Sequence, residues 1–420
     1  MYQRVVLDNG VQILTEDIPH VRSLALGVWV DVGSRDEPEE LAGVSHFIEH
    51  LLFKGTGKRT ARQIAEALDA VGGQLNAFTT KEFTCFYARV MDEYFDLALD
   101  VLADMIFNPL FKPEDIDRER NVIIEEIKMY EDTPDELVHD VFANTIWRGH
   151  SLGRPIIGNT GVIGGLSREQ ILAYFQKNYR PGNLIVALAG NIDHQQAVEK
   201  IQKVFQGANG QASRREQSRP VPQHLVTCRQ KETEQIHLCL GAPGLPLDHE
   251  QIYVFQIINT ILGGGLSSRL FQEIRENRGL AYSIYSYHSS YRDTGLFCVY
   301  AGLSKNNVAP VMELVCNEIW NIQKNGIPEE ELRRAKDQMK GNLFLSLENV
   351  STRMSRLAKS QLYLGKVVPP EEVVEKINQV TAEQIREFAR TALTPETFAI
   401  ASVGPWDDCA ALHQAAGRVM

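Results

Sequence analysis

The chain has 420 residues, 44% of them hydrophobic and 23% charged, proportions of a folded protein with enough length for two cores rather than of a disordered one. Its formal net charge is −11, and an acidic surface repels phosphate backbones, which argues against a nucleic-acid partner and favours a basic peptide or a cation. No apolar run approaches the ~18 residues that cross a bilayer, and the first residues, MYQRVVLDNGVQIL, lack the basic-then-apolar pattern of a signal peptide, so a cytoplasmic protein without a membrane partner is expected. The six cysteines (Cys85, Cys228, Cys239, Cys298, Cys316, Cys409) form no CxxC pair, and several stand in apolar runs; buried, reduced, structural thiols are expected.

In chain order, the alternating segment LALGVWVDV reads as a strand, and GVSHFIEHLLFKGT follows it with helical character. At 100° per residue, His46 and His50 lie about 40° apart on one helix face, so both imidazoles can converge on one ion. Glu49 lies roughly 60° to the other side of His46, beside such an ion without being forced to bind it, where a general base for an activated water belongs. A lone HxxEH also arises by chance, so the rest of the constellation matters.

A helix around Arg62–Val71 leads to GGQLNAFTT, whose segment Gln74–Thr79 alternates like a strand, and then to the apolar strand CFYARV. A long helix over Asp92–Phe107 follows, and another starts at Pro113. In the latter, DIDRERNVIIEEIKMY, an apolar stripe of Ile116, Ile123, Ile127 and Tyr130 is flanked by Glu119 and Glu126, seven residues apart and so on one face. Carboxylates at the edge of a buried stripe need a cation, a hydrogen-bond partner or a metal, unless they simply face solvent. Further along, Glu136 and Asp140 in DELVHD share a helix face at i and i+4.

Residues 206–222, rich in Gly, Ser, Gln and Arg and ending in prolines, read as a linker between domains 1–205 and 223–420. The second half repeats the order of the first: a helix around Leu266–Glu276, then RGLAYSIYSY, the strand GLFCVYAGL, a long helix over Val308–Gln323 and a start at Pro328. The expected fold is α+β, with two similar domains, each a largely antiparallel sheet packed with helices. The second half has no HxxEH, and Asn342 stands roughly where Glu126 does, so it should hold no metal. The Gly263–Gly265 run lacks the GK[ST] of a phosphate loop.

HFIEH, followed 76 residues after its last His by the last Glu of ERNVIIEE, resembles the pitrilysin-type (M16) zinc peptidases over nearly the whole chain, and is most similar to their small bacterial members and to the catalytic β subunit of the mitochondrial processing peptidase. The resemblance implies one zinc ion per chain on His46, His50 and Glu126, with Glu49 as catalytic base and Glu119 supporting the ligands. It implies that Asn76, Ala77 and Phe78 form an edge strand gripping a peptide substrate by backbone pairing, and that Arg275 and Tyr282, seven apart in IRENRGLAY, contact substrate, where Tyr282 could donate a hydrogen bond to the developing oxyanion. It further implies a homodimer closing into a chamber, with Arg275 and Tyr282 facing the zinc of the other copy. By their offset from Glu126, Glu136 and Asp140 match an acidic pair that receives an arginine near the cleaved bond. The expectation is thus a metalloendopeptidase for unfolded peptides, with a non-catalytic peptide-binding subunit or an obligate heterodimer as alternatives.

Overall fold

The computed structural model describes residues 2–207, 210–211 and 218–418, so 208, 209 and 212–217 of the expected linker lie outside the described residues. Two compact units are present: Met1–Lys128 with Arg154–Gln217 and Ser346–Val367, and Met129–Gly153 with Ser218–Leu345 and Val368–Met420. Compared with a division into 1–205 and 223–420, the units exchange two segments across the linker.

The first unit is built on six strands, β1 (Tyr2–Val6), β2 (Gln12–Asp17), β3 (Ser23–Val30), β4 (Gln74–Thr79), β5 (Thr84–Met91) and β6 (Leu184–Gly190), in the order β1-β2-β6-β3-β5-β4. Only β2 and β6 run parallel; all other neighbours are antiparallel. Beyond Ser23 at the start of β3, the central strands β3 and β6 are apolar and buried on both faces, as a sheet covered from both sides requires. One face packs against helices that include α1 (Val44–Leu52), α2 (Ala61–Asp69), α3 (Phe95–Phe107) and α4 (Pro113–Glu131). The other face, with Trp29, Cys85 and Ile185, is closed by the helix Val350–Leu364 through Met354, Leu357 and Leu362. There the Trp29 indole N–H donates to Met354 Sδ at 3.3 Å.

The second unit has strands β7 (Val226–Gln230), β8 (Ile236–Gly244), β9 (Ala281–Ser290), β10 (Gly295–Leu303) and β11 (Ala399–Gly404), ordered β7-β11-β8-β10-β9, with β7 and β11 parallel. This is the first sheet without β1, down to the place of its parallel pair, and it accounts for the weak repeat in the sequence. One face carries a large aliphatic cluster under the helices Ile252–Gly263 and Val308–Asn325, and the other is covered by α5 (Pro134–Ile146), through Leu137, Val138 and Phe142.

Two expectations are corrected. The helix read over Leu266–Glu276 begins only at Arg269: 266–268 form a turn, Arg269 and Leu270 are α-helical, and Phe271–Glu276 continue as a π-helical segment in which the Asn277 amide reaches back to Gln272 O at 2.9 Å. Gly264 and Gly265, backbone-flexible residues that a helix disfavours, end the preceding helix Ile252–Gly263, and at Gly263 a Cβ would meet the Ser286 amide nitrogen at 2.2 Å. The cysteines are not all reduced: Cys228 on β7 and Cys409 form a disulfide across 181 residues of sequence, whereas Cys85, Cys239, Cys298 and Cys316 are buried free thiols. That pairing depends on sheet order, which spacing does not encode. Among the described residues, no helix is long and apolar enough to cross a membrane.

Candidate metal centre

The helix α1 owes its position to burial and to an acidic cap. Val44, Phe47, Ile48, Leu51 and Leu52 sink into the first unit's core. At its start Gly43 adopts φ +97°, and a Cβ there would approach Ile157 O to 2.8 Å, so only glycine fits. The buried Glu37 carboxyl accepts from the amides of Gly43 and Ser45, both at 2.7 Å, capping the helix N-terminus.

His46 is 8% exposed and His50 half-buried, with ring centroids 4.6 Å apart. From α4, Glu126 Oε2 comes within 3.8 Å of His46 Nε2 and 3.7 Å of His50 Nε2. One donor atom from each of the three residues lies within 4.8 Å of the others. Around a tetrahedral zinc, N and O ligands stand roughly 3.3 Å apart, so Glu126 need approach each imidazole by only about half an ångström. Burial, with His50 beside it, lowers His46 to about 3, which keeps its imidazole neutral as metal ligation requires. The donor set therefore fits zinc, with three protein ligands and a remaining position for water.

Glu119, 3% exposed, sits behind His50. Its Oε2 lies 3.3 Å from His50 Nδ1 and its Oε1 accepts from Lys54 Nζ at 2.9 Å. With Nδ1 protonated and donating to Glu119, His50 turns the lone pair of Nε2 toward Glu126. Glu125, by contrast, is exposed and pairs with Lys128 at 2.7 Å, which distinguishes it from Glu126. Glu49 is half-buried; burial pushes its carboxyl above the usual range, opposed by the Thr79 hydroxyl, which donates to Oε2 at 2.5 Å. Thr79 ends β4, so the strand with Asn76, Ala77 and Phe78 is hydrogen-bonded directly to the candidate base. Among the described residues, β4 pairs only with β5 and has a free outer edge. Phe78 is anchored edge-on against Trp29 and Tyr87, with centroids 5.7 and 6.0 Å away.

Residues 12–160 match the model "Insulinase (Peptidase family M16)", and residues 165–339 match "Peptidase M16 inactive domain". The chain belongs to the M16 peptidase family. It is 44% identical over 407 residues to the Bacillus subtilis (strain 168) protein named "Uncharacterized zinc protease YmxG", covering 96% of this chain and 98% of that one. In fold it is similar to a protease from Helicobacter pylori, with TM-score 0.90, 21% identity and coverage of 96% and 99% of the two chains. A Pseudomonas fluorescens structure described as a peptidase M16 inactive domain matches with the same TM-score and identity, over 96% and 98%.

The second unit of this M16 chain carries the remaining predicted residues. Arg275 lies in the π-helical segment, its guanidinium stacked over the rings of Phe271 at 4.9 Å and Tyr282 at 5.2 Å, and the Tyr282 side chain is 74% exposed. Arg275 and Tyr282 are thus brought together as a stacked pair. Glu136 is exposed and Asp140 half-buried on α5, and Asn342 lies on the helix Glu329–Ser346. None of these belongs to the unit holding His46, His50 and Glu126. Sequence reasoning missed Glu37, Lys54 and Thr79. Thr79, three residues beyond Asn76 on an alternating strand, was within reach of pattern analysis; Glu37 and Lys54 gave no signal of their own.

Proposed function

We propose that this M16 chain is a zinc-dependent endopeptidase acting on extended peptides. The observation that carries the reading is the convergence of His46, His50 and Glu126 with Glu49 alongside. When bound, zinc supplies a Lewis acid that polarises the scissile carbonyl and acidifies water. Glu49 takes a proton from the attacking water onto its carboxylate and returns it to the leaving amine, and Thr79 holds that carboxylate in place. The free edge of β4 offers main-chain N–H and C=O groups to a substrate strand, which grips many sequences alike.

The reading extends to a homodimer in which Arg275 and Tyr282 of a second copy meet the bound peptide, and to a preference for arginine received by Glu136 and Asp140. Support for both comes from the family resemblance, the stacked Arg275–Tyr282 pair and the i, i+4 carboxylates on α5. The test is the metal content and solution mass of the chain purified alone, with cleavage of quenched peptides carrying arginine or leucine and Glu49→Gln as control. Zinc with Glu49-dependent cleavage supports the endopeptidase. Zinc without cleavage until a second chain is added supports a heterodimer, and neither zinc nor cleavage supports a peptide-binding subunit.

A further inference from the structure

The second unit holds another group of metal-ligating side chains, on elements that the HxxEH motif does not touch. His139 of α5, Cys239 of β8 and Cys298 of β10 each place one donor atom within 4.8 Å of the others. Sheet geometry sets the two thiols: in the β8–β10 register Cys239 faces Tyr300 and Cys298 faces Gly241, so the cysteines are diagonal neighbours on one sheet face. Both are 0% exposed, beneath α5 and among Leu137, Phe142 and Leu296. His139 enters from the helix, its Nδ1 3.5 Å from Cys239 Sγ. A tetrahedral zinc with sulfur and nitrogen ligands separates those two atoms by about 3.6 Å.

The surroundings orient the imidazole as a metal site would. His139 Nε2 lies 3.2 Å from the Tyr285 hydroxyl, so in the tautomer protonated there it donates outward and leaves the Nδ1 lone pair facing the thiols. Tyr287 Oη, 2.8 Å from Nδ1 and hydrogen-bonded to Cys298, lies at the same lone pair, which a bound metal would take over from the hydroxyl. Complete burial removes the thiols from any substrate, so a nucleophilic role does not fit them. An imidazole and two thiolates form a soft donor set that selects zinc or cuprous ion over magnesium or calcium.

We propose that His139, Cys239 and Cys298 form a second, structural metal site for a soft d10 cation, Zn2+ or Cu+, tying α5 to β8 and β10. Binding replaces the two thiol protons, which leave as two H+, and involves no redox change.

The test uses the full chain, purified anaerobically and stripped of metal, then titrated with Co2+. The expected result is two Co2+ per chain and a thiolate-to-cobalt charge-transfer band in the near ultraviolet, which the nitrogen and oxygen donors of His46, His50 and Glu126 cannot produce. Cys239→Ser and Cys298→Ser should each lose the band, whereas Cys228→Ser with Cys409→Ser, and His46→Gln with His50→Gln, should keep it. Elemental analysis of the chain as isolated, with competition by a cuprous-specific chelator, separates zinc from copper. The wild-type spectrum decides the matter even if a cysteine variant misfolds. A single Co2+ per chain with no thiolate band overturns the proposal, and so does a Cys239–Cys298 disulfide in the anaerobic protein.

Discussion

Glu119 holds His50 from behind: its Oε2 lies 3.3 Å from Nδ1 while its other oxygen takes Lys54. The pair sets which nitrogen faces Glu126. Replacing Glu119 with Gln keeps the shape but removes the charge that orients and enriches the imidazole. Zinc affinity should fall by roughly 10–100-fold, with far-UV circular dichroism unchanged. Competition with a chromogenic chelator measures it.

Glu49→Gln should leave zinc affinity nearly intact and lower kcat by roughly 10²–10⁴-fold, since it removes proton transfer and not a ligand. Thr79→Val removes the hydroxyl that fixes the Glu49 carboxylate. It should lower kcat by about tenfold with a smaller change in KM, because the substrate edge of β4 is kept. Steady-state kinetics on a quenched peptide separates the two parameters, and an unchanged kcat in Thr79→Val would remove Thr79 from the catalytic apparatus.

Burial lifts the Glu37 carboxyl to about 7 against the hydrogen bonds from Gly43 and Ser45 and the charge of Arg154. A folded-state value above the unfolded one means that the native chain binds the proton more tightly. Its stabilising contribution is present below about pH 4.5 and is lost as pH rises toward 7, on the order of 3 kcal/mol in full. Glu37→Gln should flatten the stability profile over that window. Urea denaturation at pH 5 and pH 7 gives the difference.

Met354 is 1% exposed and accepts the Trp29 indole N–H. Met354→Ala should cost about 2–5 kcal/mol, from the cavity and from the indole left without its acceptor. The same denaturation curves record it as a lower midpoint.

The Cys228–Cys409 bond predicts four reactive thiols in denaturant under oxidising conditions and six after reduction. Because it closes a loop of 181 residues, reduction should lower stability by roughly 2–4 kcal/mol. Thiol titration and paired thermal melts check both statements.

The candidate metal-holding residues of the first half stood out in the sequence because they depend on local periods. His46 and His50 need only one helical turn; Glu119 and Glu126 both flank the stripe of Ile116, Ile123 and Ile127, all of them buried, and the family resemblance singled out Glu126. The alternation of Gln74–Thr79 likewise gave a strand, and the repeated order of elements gave two sheets of one topology. What escaped depends on distance in sequence. Cys239, Cys298 and His139 carry no motif, because a helix and two strands bring them together. The same holds for the disulfide. The segment Leu266–Glu276 differed at its start for a local reason: its apolar spacing is helical throughout, but it follows the Gly263–Gly265 run and becomes helical only from Arg269, widening to a π-helix at Phe271.

The two exchanged segments bear on how the chain is made. As it leaves the ribosome, all six strands of the first sheet are released by Gly190, yet Trp29, Cys85 and Ile185 have no cover until the helix ending at Leu364 emerges. The helix α5, meanwhile, is synthesised before any strand of the sheet it covers. Vectorial folding of one half after the other is therefore closed to this protein. A nascent chain halted in the linker would present an apolar sheet face to chaperones rather than a finished domain.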